Sequence, residues 1–189
     1  MQMNIPNSLT LARILMIPVF MLFFFLPFEW AAPVTALIFG LAGLTDWLDG
    51  YLARRLEQYS NFGAFLDPVA DKLMVVAALV LLVQKDASPL LAIPAVVIIG
   101  REIAISALRE WMSELGERAS MAVSWLGKLK TTVQMVAIFL MLWRHDIGWL
   151  PTYQLGFLLL WISAGLTLWS MMNYLRASWP AIRDDDAAV

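Results

Sequence analysis

The sequence predicts an all-α membrane protein of six transmembrane helices, and three observations carry that expectation. First, 61% of the 189 residues are hydrophobic and only 15% charged, where a soluble domain carries about a quarter charged residues. Second, the apolar residues recur along the whole chain in runs of roughly 20, the length that crosses about 30 Å of hydrocarbon as a helix. Third, the basic residues fall almost entirely on one side of the spans that those runs define. The chain has no Cys, which excludes disulfides and thiolate metal sites. Its net charge of −2 argues against a nucleic-acid partner.

The first span is expected at 9–26 and the second at 33–54, separated by Pro27-Phe28-Glu29. A signal peptide would begin with a basic stretch and have a shorter apolar core, so the first span is expected to stay in place. The third span is expected at 68–83, after the turn signal Asn61-Phe62-Gly63, and the fourth at 90–111, after Gln84-Lys85-Asp86. The fifth, 121–143, follows Glu114-Leu115-Gly116, and the sixth, 149–174, follows Arg144-His145-Asp146-Ile147-Gly148. Asp184-Asp185-Asp186-Ala-Ala-Val reads as a solvated, frayed tail. No repeat of 20 to 50 residues is visible, so residues 1–189 read as one domain with neither a solenoid nor an inverted-repeat transporter pattern.

Six spans put both termini on one side. With them fall Arg13, Arg54, Arg55, Lys72, Arg101, Arg109, Arg118, Lys128, Lys130, Arg176 and Arg183, and only Lys85 and Arg144 of the 13 basic residues remain for the other side. By the positive-inside rule the termini face the cytoplasm.

Chemistry concentrates between residues 46 and 71. There the chain reads Asp46-Trp-Leu-Asp49-Gly50-Tyr-Leu-Ala53-Arg54, then eight residues, then Gly63-Ala-Phe-Leu-Asp67-Pro-Val-Ala-Asp71. At a helical turn of about 100° per residue, Asp46, Asp49, Gly50, Ala53 and Arg54 share a face about 140° wide, and Asp67 and Asp71 share a face of the next helix. Four unpaired carboxylates at a membrane surface would be destabilised by desolvation and mutual repulsion. Two divalent cations match their charge, and hard oxygen donors favour Mg²⁺ or Mn²⁺. A two-metal centre suits in-line displacement at phosphorus. Gly50 and Ala53 leave room for a nucleotide against the backbone, and Arg54 can hold a phosphate oxygen.

Blander roles exist for single members of this set. Asp67 before Pro68 fits a helix N-cap with proline at the first helical position. Asp46 fits a buried polar residue bonded to a neighbouring helix, and Gly43 and Gly50 fit helix packing. A small cation transporter would also place carboxylates in its spans, but it needs none of Gly50, Ala53 and Arg54.

The complete pattern D-x-x-D-G-x-x-A-R-x8-G-x3-D-x3-D, with this spacing, resembles the signature of the CDP-alcohol phosphotransferase family. That resemblance implies six transmembrane helices, a homodimer, and metal-dependent transfer of a phosphatidyl or similar group from a CDP-linked donor. It also implies that Asp46, Asp49, Asp67 and Asp71 hold the metals, with Asp71 as general base on the acceptor hydroxyl. Gly50, Ala53, Arg54 and Gly63 would contact the CDP moiety.

The acceptor is sought among the other polar residues of the same side. Arg101 and Arg109, eight apart, lie about 80° apart around one helix and can converge on one ligand. Gly127-Lys128-Leu129-Lys130-Thr131 adds two more cations. Arg and Lys beside a carboxylate–metal site suit a phosphorylated alcohol. In the plainer reading, Arg101 pairs with Glu102 or Glu110 while Lys128 and Lys130 snorkel to lipid headgroups. The stretches Asn4–Arg13, Arg101–Trp111 and Gly127–Thr131 resemble family members that join CDP-diacylglycerol to glycerol 3-phosphate in bacterial cytoplasmic membranes. Thr10 and Arg13 match a polar pair that lines their pocket; helix capping and positive-inside anchoring are the alternatives. Inositol phosphate, serine or a diglyceride are the competing acceptors.

Overall fold

Residues 5–56, 61–114 and 125–186 are described by a computed structural model, which places six helices in chain order. They are α1 (Ile5–Phe25), α2 (Ala31–Leu56), α3 (Asn61–Asp86), α4 (Pro89–Glu114), α5 (Trp125–Trp143) and α6 (Thr152–Asp186). No β-strand occurs among the described residues; one isolated bridge joins Ile147 and Leu150 in the α5–α6 connection.

Among the described residues, three helices are long and apolar enough to cross a membrane, through Ser8–Phe25, Pro89–Met112 and Thr152–Arg176. The apolar stretches of α2 and α5 are shorter, Ala31–Thr45 and Leu129–Trp143. Their polar remainders, like the first half of α3, carry the candidate chemistry, so hydropathy weakens where function enters. The outward faces suit lipid: Val96 and Ile103 on α4 are 68% and 65% exposed, a costly arrangement in water and a natural one against hydrocarbon.

Inside the bundle, Phe20, Phe39, Leu79, Leu82, Leu91, Ile98, Ile138, Met141, Leu142 and Leu160 are fully buried, with every helix contributing. Lipid is as apolar as leucine, so close packing rather than exclusion of water holds such helices together. The α5–α6 pair shows how. A Cβ on Gly156 would lie 2.8 Å from the Ala137 carbonyl oxygen and 3.0 Å from the Met141 nitrogen. Only glycine lets the two backbones approach this closely.

Three expected boundaries change. The turn expected at Asn61-Phe62-Gly63 is helical, and α3 starts at Asn61 rather than at Pro68. Asp67 is therefore inside a helix and is not its N-cap. Proline here removes one backbone bond, to the Ala64 carbonyl, a loss that helices in membrane proteins tolerate when neighbours or water serve the freed group. The sixth helix begins at Thr152 rather than at Trp149, because Gly148 adopts a left-handed φ of 62° and Pro151 follows. It also continues past Tyr174 to Asp186, so Asp184, Asp185 and Asp186 are helical and not a frayed tail. No Gly or Asn immediately before them supplies a stop. The first residues of the expected fifth span lie outside the described residues.

At the end of the bundle far from Asp46 and Asp71, the connections are clasped by polar contacts. Asp86 accepts from Arg144 at 2.6 Å and from the Tyr153 hydroxyl at 2.8 Å. Arg144 also lies over the Tyr153 ring, 5.6 Å from its centroid. A ring nitrogen of His145 lies 3.1 Å from the Glu29 carbonyl oxygen, and Thr152 donates to the His145 carbonyl at 3.0 Å. Arg144 reaches these partners from a left-handed φ of 61°. The contacts fix where α3 ends relative to α5 and α6.

Candidate active site

Asp46, Asp49, Gly50, Ala53 and Arg54 all fall within α2, and Gly63, Asp67 and Asp71 all fall within α3. The two helices pack against each other. The face shared by each set therefore stands on helical geometry, while the side chains of these eight residues lie outside the described residues. Among the described residues no cluster of three or more His, Asp or Glu is gathered to hold a metal ion.

One helical turn from Asp46 and Asp71, toward the middle of the bundle, a cavity of about 720 Å³ opens between α1, α2, α3 and α5. Gly43 on α2 lines it, three residues before Asp46; Met74 and Val75 on α3 line it, three and four residues after Asp71. Its wall is otherwise mostly apolar, with Phe39, Met135, Val136 and Phe139, and its polar groups come from Arg13, Thr131 and Thr132. The size suits a substantial organic ligand. Gly43 keeps one wall low: a Cβ there would meet the Met135 methyl at 2.7 Å. Arg13 and Thr10 on α1 are both fully buried. Of the polar pair expected to line a pocket, Arg13 borders this cavity and Thr10 sits one turn earlier on the same helix.

A second polar cluster joins α3, α4, α5 and α6. Glu102 Oε1 accepts from Lys130 Nζ at 2.9 Å and from Arg101 NH1 at 3.1 Å. Arg101 NH2 also donates to Ser170 Oγ at 3.3 Å. Ser106, one turn after Glu102, donates to the Glu102 carbonyl at 2.6 Å and receives Lys72 Nζ. Lys130 is 3% exposed, and such burial of an ammonium requires a charged partner. Arg101 Nε is buried with no hydrogen-bond partner.

The structure thus brings Arg101 and Lys130 together, and it realises the expected Arg101–Glu102 pair at the same time. Arg109 is exposed on α4, about 12 Å further along the axis at 1.5 Å per residue, and takes no part in this cluster. The Lys128 side chain lies outside the described residues. Sequence reading missed Glu102, Ser106, Lys72 and Ser170 as site residues. The four-residue spacing of Glu102 and Ser106 was a weak signal. Nothing local announced Ser170, which lies 69 residues from Arg101.

A membrane helical bundle with aspartate positions on two packed helices, and a cationic cluster that Lys72 joins from the position next to Asp71, fits the class of enzymes that act on phosphorylated groups at a membrane surface. The chain belongs to the CDP-alcohol phosphatidyltransferase family, whose profile matches residues 3–169. It is 56% identical over 178 residues to the CDP-diacylglycerol–glycerol-3-phosphate 3-phosphatidyltransferase of Salmonella typhimurium, covering 94% of this chain and 96% of that one. The protein of the same name from Haemophilus influenzae is 53% identical over 187 residues, covering 98% of both chains. That from Yersinia pestis is 54% identical over 179 residues, covering 95% and 97%. Membership of this family leaves the cation-transporter reading without support.

Proposed function

We propose that the protein transfers the phosphatidyl group of CDP-diacylglycerol to glycerol 3-phosphate, forming phosphatidylglycerophosphate and CMP. The observation that carries this reading is the cavity one turn from both Asp46 and Asp71, apolar enough to hold an acyl chain of a lipid donor. The names of the relatives supply the two substrates. The excess of basic residues on the side of the termini supports a cytoplasmic placement of the site and both termini, and the bacterial relatives support an inner-membrane location.

Asp46, Asp49, Asp67 and Asp71, on two packed helices, would supply hard oxygen donors, a chemistry that fits two divalent cations, Mg²⁺ or Mn²⁺. When bound, such ions would neutralise charge on the pyrophosphate and on the departing CMP.

The chain's own residues would do the rest. Gly50, Ala53 and Gly63 leave backbone room for the CDP moiety, and Arg54 bonds a phosphate oxygen. Arg13, with Thr10 one turn away, provides the polar wall where headgroup meets cavity. Arg101 and Lys130 hold the phosphate of the acceptor, with Arg109 and Lys128 adding to the positive charge that attracts it. Asp71 accepts the proton of the acceptor's primary hydroxyl. That oxygen bonds to the phosphorus linked to diacylglycerol, the bond from this phosphorus to the CMP oxygen breaks, and CMP leaves.

An acceptor panel with labelled CDP-diacylglycerol tests the assignment. Purified protein should label glycerol 3-phosphate and leave serine and inositol phosphate unlabelled; transfer to serine alone would overturn it. Asp71→Asn should abolish turnover in protein that still folds.

A further inference from the structure

We propose that Glu102 is a positioning residue for the acceptor's phosphate, holding the Lys130 ammonium and the Arg101 guanidinium side by side before the acceptor arrives. The inference rests on the reading of Arg101 and Lys130 as phosphate ligands.

Lys130 and Arg101 come from different helices, α5 and α4, and both have long side chains with many rotamers. One oxygen, Glu102 Oε1, accepts from both, at 2.9 and 3.1 Å. This bond pair sets the spacing between the two cations. The Ser106 hydroxyl, oriented by donating to the Glu102 backbone carbonyl at 2.6 Å, receives Lys72 and so brings a third cation to the same turn of α4. Arg101 is steadied from the other side by Ser170 on α6 at 3.3 Å. Side chains locked by such supporting contacts are what a precise anion site requires.

The charges also favour this role over a plain structural ion pair. Lys72, Arg101 and Lys130 surround Glu102, the one carboxylate among the described residues of the cluster. A structural pair needs one cation for one carboxylate. Among the described residues of the cluster two positive charges are in excess, which matches a phosphate monoester carrying close to two negative charges at neutral pH. Glu102 thus keeps two cations at bonding distance from one oxygen while leaving the cluster attractive to an anion.

The test is steady-state kinetics of the full chain in detergent–lipid micelles, varying each substrate in turn. Glu102→Gln keeps the shape and one acceptor oxygen but loses the charge. It should raise the KM for glycerol 3-phosphate about tenfold and leave the KM for CDP-diacylglycerol within about twofold, with kcat falling less than KM rises. Glu102→Ala should raise the acceptor KM about a hundredfold, so that Gln partly rescues Ala. A merely structural ion pair would affect both substrates alike and lower the melting temperature of both variants in step with activity. An unchanged or lowered acceptor KM in folded Glu102→Gln protein would overturn the proposal. Lys130→Met and Arg101→Ala run in parallel separate the two levels. If neither raises the acceptor KM, the phosphate-binding reading itself fails; if both do and Glu102→Gln does not, only the role of Glu102 fails.

Discussion

Two carboxylates, Asp86 and Glu102, each tie several helices together, yet their surroundings differ in charge. At the loop end, Asp86 gives one oxygen to Arg144 and the other to the neutral Tyr153 hydroxyl. The other cation there, Lys85, lies over the Phe24 ring, 5.1 Å from its centroid. Partial desolvation and the nearby Arg144 lower the Lys85 pKa, and Asp86 opposes them. Glu29 and Asp146 add acidic charge to the same connections. At the other end, Glu102 places one oxygen between two cations with a third on Ser106. The distances are similar, 2.6 and 2.8 Å at Asp86 and 2.9 and 3.1 Å at Glu102. Acidic and basic groups offset one another at the loop end, which suits a structural role, whereas the described residues around Glu102 carry more positive than negative charge, which suits the proposed binding of an anion.

This contrast can be broken by mutation. The largest effect is expected for Lys130→Met, which removes a buried cation from the cluster: kcat/KM for glycerol 3-phosphate should fall at least a hundredfold, about 2.7 kcal/mol or more in transition-state stabilisation. Asp86→Asn at the loop end should do the reverse. It should lower stability by about 1–3 kcal/mol, read as a melting shift in detergent, and change kcat/KM by less than about threefold. A large catalytic loss there would erase the distinction between the two ends. Arg109→Ala, at an exposed position outside the cluster, should weaken acceptor use by no more than about tenfold, and raised salt should shrink the difference. Gly43→Ala should have the smallest effect. Its added methyl meets the flexible tip of Met135, so stability should change by less than about 1 kcal/mol, with a modest shift in preference among donor acyl chains.

The two parts of the candidate site were not equally legible in the sequence. The aspartates announced themselves because their spacing is local: Asp46 with Asp49 and Asp67 with Asp71 are each within one helical turn, and their surroundings repeat a family's signature. Arg101 and Lys130 were legible as cations near the same membrane face but not as a pair. Their meeting point, Glu102, links residues 28 apart, and Lys72 reaches Ser106 across 34; such contacts depend on how helices pack, which hydrophobic periodicity does not encode. The start of α3 was misread for a related reason. Gly63 and Pro68 are turn and start signals taken singly, but neither stops a helix whose backbone is supported by packed neighbours.

The central claim is that the aspartates and the cationic cluster serve one displacement between a CDP-lipid and a phosphorylated alcohol. Release of CMP from CDP-diacylglycerol by the purified protein, followed with Mg²⁺ or Mn²⁺ present and with glycerol 3-phosphate added or withheld, tests it most directly. The account predicts rapid CMP release that requires both the metal and glycerol 3-phosphate and that is matched mole for mole by phosphatidylglycerophosphate. CMP release at the same rate without the acceptor, or no release with it, would contradict the account.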